Sequence, residues 1–114
     1  MTNHNDTVTT YLAAWNATDP AERTALLARA VTDDVRYVDP LADVTGPAAL
    51  SALIGGVQEQ FPGLPLALEG AVDAHHDVLR FSWTMGPVVG TDSVLLAADG
   101  RFALVTGYLD KVPT

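Results

Sequence analysis

Two aspartates and a tyrosine stand where this chain could do chemistry: Asp39, Asp92 and Tyr11. Asp39 precedes Pro40, and proline restricts the residue before it to extended geometry. A short strand is therefore predicted over Val35–Asp39. Alternation puts Val35, Tyr37 and Asp39 on one face, and Asp34, Arg36 and Val38 on the other. A carboxylate beside an apolar and an aromatic residue can have its pKa raised and can hold a base next to an apolar ligand. The same aspartate can instead cap the turn or the next helix. Asp92 lies in TDSVLL, with Val94 and Leu96 on its own side of the strand. If that side faces the helices, the carboxyl is buried and must protonate or find a partner. If Asp92 sits at a strand end, it faces water. Tyr11 lies inside an apolar helical stripe, as a core ring or as a buried hydroxyl in need of a partner. Arg80 is expected to pair with Asp92 across two strands.

Other chemistries find little support. His75-His76 falls in a turn with no further ligand at metal-binding spacing, so no metal is expected. Ser82 and Ser93 lack a glycine-flanked elbow, and Gly55-Gly56 is not followed by lysine as a phosphate loop would be. With no cysteine there is neither a disulfide framework nor a thiolate.

The 114 residues suit one domain, read as 1–114, with a single core. The net charge of -8 argues against nucleic acid and anionic membrane surfaces as partners. No apolar run approaches the roughly 18 residues of a membrane span, and no signal peptide is evident. A cytoplasmic protein is the default expectation.

The elements that must position these residues can be read in order. Val8, Tyr11, Leu12 and Trp15 form one face of a helix over Asp6–Asn16. Asp19-Pro20 starts a second helix, which carries Leu26, Leu27 and Ala30 inward. After the strand ending at Asp39 and a loop over Leu41–Thr45, Gly46-Pro47 opens a third helix bearing Leu50, Leu53, Ile54, Val57 and Phe61. Its glycine pair suggests close approach of another backbone, such as the sheet. Four strands follow, over 64–72, 78–86, 91–98 and 101–110, the last two joined at Asp99-Gly100. The predicted class is α+β, with helices packed on one face of a mostly antiparallel sheet.

Several segments together resemble bacterial ketosteroid isomerases and the wider nuclear-transport-factor-2-like superfamily, which includes SnoaL-like polyketide cyclases. These are Tyr11–Ala17, Asp33-Asp34, Val38-Asp39-Pro40 and Gly46–Leu50. The resemblance covers nearly the whole chain. It implies three N-terminal helices on the concave face of a curved sheet, forming a cone around an apolar pocket. It also implies that Tyr11 and a protonated Asp92 donate hydrogen bonds to a substrate oxyanion, and that Asp39 is the base. The helical half matches better than the sheet half. Ile54 stands where the better-known isomerases carry a further tyrosine, and Asp43 is added near the mouth. Phe61–Gly63, Arg80, Trp83 and Thr106–Asp110 look more like an uncharacterised bacterial group.

The expected function is proton transfer next to a carbonyl in an apolar pocket, on a steroid-like or polyketide-like ketone, without a cofactor. Trp15, Leu53, Val57, Phe61, Trp83 and Met85 are the candidate walls. The alternatives are cyclisation or dehydration with Asp92 as acid, or a non-catalytic ligand-binding or dimerisation module. An apolar small-molecule ligand is the expected partner. A homodimer through the sheet face away from the helices is the expected assembly.

Overall fold

A computed structural model describes residues 4–113 of the chain. Its elements run α1 (His4–Asn16), α2 (Pro20–Ala30), β1 (Val31–Asp39), β2 (Ala42–Thr45), α3 (Pro47–Gln60), β3 (Leu66–His75), β4 (Val78–Met85), β5 (Val88–Leu96) and β6 (Phe102–Lys111). The apolar stripe of α1 is buried through Val8, Tyr11, Leu12 and Trp15. Asp19 caps α2, its carboxylate accepting from the Ala21 N–H at 3.4 Å, with Pro20 in the first turn. Leu27 and Ala30 are buried there, whereas Leu26 is only half-buried.

The six strands form one sheet in the order β2-β1-β6-β5-β4-β3. Only β1 and β6 run parallel. All other neighbouring pairs are antiparallel. Irregularities in β3 between Glu69 and Asp73, and along the β5–β6 pair, bend the sheet. The three helices pack against one face, α1 on β3 and α2 and α3 on β1. Leu79, Phe81, Trp83 and Met85 point into that face from β4. The architecture is thus the expected α+β arrangement of three helices on a curved, mostly antiparallel sheet. No helix among the described residues is long and apolar enough to cross a membrane.

Several local expectations are corrected. β1 begins at Val31, and the expected loop at Leu41–Thr45 is a strand, β2, paired with β1. Asp43 is not at a mouth: it pairs with Arg36 at 2.8 Å. Arg36 and Asp43 occupy the face of the hairpin opposite Tyr37 and Asp39, because alternate residues point to opposite faces. Arg80 does not meet Asp92. It lies opposite Ser93 and pairs with Asp73 at 3.2 Å, while Asp92 faces Phe81 on the helix side. One residue of register is enough to reverse the face.

Gly55 does not approach the sheet. A side chain there would begin 3.3 Å from the guanidinium of Arg23, whereas Gly56 has nothing within 4 Å. Arg23 is buried and, among the described residues, has no carboxylate partner. Its guanidinium donates to Ala17 O, to Ser51 O and Oγ, and to Gln58 Oε1. Gln58 Nε2 in turn donates to Trp15 O at 2.8 Å and Ala17 O at 2.9 Å. This clamp ties the end of α1 to α2 and α3, and so fixes the backbone that carries Trp15.

Candidate active site

The polar groups come from β1, β4 and β5, with β6 lying between β1 and β5. Tyr37 and Asp39, two apart on β1, share a face. The Tyr37 hydroxyl donates to Asp39 Oδ2 at 2.6 Å. The Leu41 N–H donates to Asp39 Oδ1 at 2.8 Å, so the carboxylate also organises the turn after Pro40. Asp92 lies mid-strand in β5, opposite Gly107 of β6 and Phe81 of β4. The Trp83 indole donates to Asp92 Oδ1 at 3.1 Å. Glycines make room for these groups. A side chain on Gly90 would overlap the Trp83 ring. One on Gly107 would begin 3.1 Å from Asp92 Oδ1, 3.3 Å from Asp39 Cβ and 3.6 Å from the Tyr37 hydroxyl. Asp39, Asp92 and Tyr37 therefore converge on the space left empty by Gly107.

Asp92 is 4% exposed. Burial pushes its pKa up to about 7; the Trp83 N–H offsets part of this, and the nearby charge of Asp39 adds to it. Burial likewise raises the Tyr37 phenol, helped by Tyr11 and by its bond to Asp39, so it stays a donor. Tyr11 is fully buried, packed against Phe102 with ring centroids 5.1 Å apart and against Phe81 at 6.2 Å. Its pKa is raised well above the usual value, first by burial and then by Asp92. The Trp15 indole offsets part of that rise without reaching hydrogen-bond geometry, and among the described residues neither the Tyr11 hydroxyl nor Trp15 Nε1 has a hydrogen-bond partner.

The acids open into a cavity of about 170 Å³. Of the candidate walls, Trp15, Val57, Phe61, Trp83 and Met85 line it. Leu53 does not; it packs against the core instead. Asp39 and Asp92 line the cavity, whereas Tyr11 lies behind it. Sequence reasoning set Tyr37 on the face of Asp39 without giving it a role. It passed over Gly107, Leu66 and Val88, which also line the space. A glycine inside a strand was the available signal for Gly107, since it marks a close approach. Among the described residues no group of three or more His, Asp or Glu side chains is placed to hold a metal. His75 and His76 sit exposed at the β3–β4 turn. A larger, open depression of about 490 Å³ lies on the other face of the sheet around Asp73, His75, Arg80 and Leu95, and holds no buried acid.

Comparison with known proteins follows the same lines. No protein of curated function matches the sequence. The structure resembles that of a protein described as a putative isomerase of the SnoaL-like family from Agrobacterium tumefaciens, with 38% identity and a TM-score of 0.88, over 97% of this chain and all of the other. It shares the fold of an NTF2-like protein of unknown function from Exiguobacterium, at 19% identity and TM-score 0.74, over 93% of this chain and 99% of the other. It also shares the fold of a protein described as a putative ketosteroid isomerase from Kribbella flavida, at 20% identity and TM-score 0.67, over 97% of this chain and 80% of the other. The family model for the SnoaL-like domain matches residues 8–107, a span that takes in Tyr11, Asp39, Asp92 and Gly107. By that match across most of its length, the chain belongs to the SnoaL-like domain family.

Proposed function

We propose that this protein moves a proton next to a carbonyl group in a small apolar molecule held in the cavity. The observation that carries the reading is the meeting of two acids in different surroundings at Gly107. Asp39 has both oxygens fixed as acceptors, and Asp92 is a buried acid that keeps its proton to about pH 7. Asp39 takes the proton from the carbon beside the carbonyl. The electron pair of that C–H bond moves into the carbonyl, and an enolate forms. Asp92, with Oδ1 already bonded to Trp83, turns its remaining O–H towards the enolate oxygen. Asp39 then returns the proton to a different carbon of the extended enolate. A β,γ-unsaturated ketone thereby becomes conjugated, with no net oxidation. The donated bond strengthens as charge develops on oxygen, so it lowers the barrier more than it aids binding. Tyr11 acts as a positioning residue, its ring holding the wall behind Asp92.

The test is conjugation of 3-cyclohexen-1-one, followed by ultraviolet absorbance in wild-type protein and in Asp39→Asn. Loss of turnover by roughly 10²–10⁴-fold in the variant is the expected result for a general base. Equal rates in the two proteins would remove Asp39 from the reaction and the reading with it.

A further inference from the structure

Resting on the proton-transfer reading, we infer that the ligand is a neutral molecule of one ring, and neither a fused polycycle nor an anion, because a cavity of about 170 Å³ holds two carboxyls and, among the described residues, no cation. Size comes first. An apolar protein cavity of about 150 Å³ is filled by benzene. A four-ring ligand carries roughly three times as many carbon atoms as benzene and overfills such a space. The mouth does not make up the difference. The separate depression of about 290 Å³ on the other side of Trp15 and Phe61 carries polar Asn16, Thr18 and Gln58, while Leu41, 87% exposed, and the exposed Phe61 and Leu109 form an apolar rim. A short alkyl substituent can rest there, but three more rings would stand in water.

Charge narrows the class further. Among the described residues no lysine, arginine or histidine lines the cavity. An anionic group placed beside Asp39 would meet a like charge and no counter-ion. The net charge of -8 acts in the same direction on approach. The donors suit a neutral acceptor. At Gly107 the Trp83 N–H is committed to Asp92 and the Tyr37 O–H to Asp39, which leaves the Asp92 proton to meet a carbonyl oxygen, while Gln60 and Tyr108 add only neutral polar groups to the lining. An alkylamine is protonated at neutral pH and has no lone pair left to accept a bond from that proton.

The experiment uses the two tryptophans of the chain, Trp15 and Trp83, both of which line the cavity. Their indole N–H signals in NMR spectra of the wild-type protein report occupancy directly. Phenol serves as the stand-in for a one-ring enolate, 2-naphthol for two rings and estradiol for four. Phenol is expected to move both indole signals to saturation, and estradiol to bind more weakly by roughly tenfold or more, the cost of overfilling. Estradiol binding as tightly as phenol would overturn the size limit. Benzoate or benzylamine binding as tightly as phenol would overturn the charge assignment. The outcomes separate from those for the reaction. Phenol preferred, with no conjugation of 3-cyclohexen-1-one, leaves the ligand class in place and removes the proton transfer. Asp39-dependent conjugation of a Δ5-3-ketosteroid, with estradiol preferred, does the reverse.

Discussion

Asp92 has its pKa pushed up by burial and then by the neighbouring charge of Asp39, and the Trp83 N–H offsets part of that rise. Its pKa is about 7 in the folded chain against an ordinary value of 3.8. Between these values the folded state binds a proton that the unfolded state lacks. The stability tied to this proton is full below pH 3.8 and is lost as pH rises through about 7. Asp92→Asn removes that titration. Urea unfolding of the variant should lose part of the decline in stability between pH 4 and 7, and at pH 8 it should exceed the wild type by roughly 1–3 kcal/mol. An unchanged pH slope would place the proton elsewhere. In the proposed reaction Asp92 acts with this proton in place, so wild-type activity should fall as pH rises through about 7. Tyr11 poses the opposite case, a buried hydroxyl with no partner. Tyr11→Phe should be neutral or stabilising by about 1 kcal/mol, since an unsatisfied polar group is removed. Its turnover should fall by less than roughly tenfold, because the hydroxyl does not line the cavity. A loss as large as that of Asp39→Asn would make Tyr11 a direct donor.

At the scale of elements, the clamp of Arg23 and Gln58 joins three helices through neutral acceptors. It explains the glycine pair of α3 unequally. Gly55 leaves room for a guanidinium, whereas Gly56 is exposed and touches nothing nearby. Gly56→Ala should therefore raise stability by about 0.5–1 kcal/mol, the helix-propensity difference, seen as a higher Tm. Gly55→Ala should gain less or lose, because Arg23 must shift. Equal gains at both positions would contradict the clamp. Much at this scale was legible in the sequence. Asp19-Pro20 marked a cap, Asp39-Pro40 marked the end of β1, and Asp99-Gly100 marked the last turn, because each rests on local backbone sterics. The clamp was not legible, since its acceptors are mostly backbone carbonyls, which carry no residue-type signal. Nor was the partner of Arg80, because spacing does not set cross-strand register.

At the scale of the molecule, β6 lies between β1 and β5 and so brings residues far apart in sequence to one point. Asp39 and Asp92 come from its two neighbours, and Gly107 between them has no side chain to keep them apart. The parallel β1–β6 contact that makes this possible has no local signature. The face alternation of β1 nevertheless set Tyr37 beside Asp39, and the apolar neighbours Val94 and Leu96 singled out Asp92. They did not foretell that Tyr37 would hold Asp39, or that Tyr11 would sit behind the cavity. Those depend on rotamers and packing around Phe81, Phe102 and Trp15. The central claim is that the buried carboxyl of Asp92, facing the same space as Asp39, holds its proton far above the ordinary carboxylate range. Its most direct test is a titration of the aspartate side-chain carboxyl carbons by ¹³C NMR, with Asp92 assigned by its absence in Asp92→Asn. The account requires Asp92 to titrate near pH 7 and to lose its proton more readily once Asp39→Asn removes the neighbouring charge. Titration near 3.8, unmoved by that substitution, would contradict it.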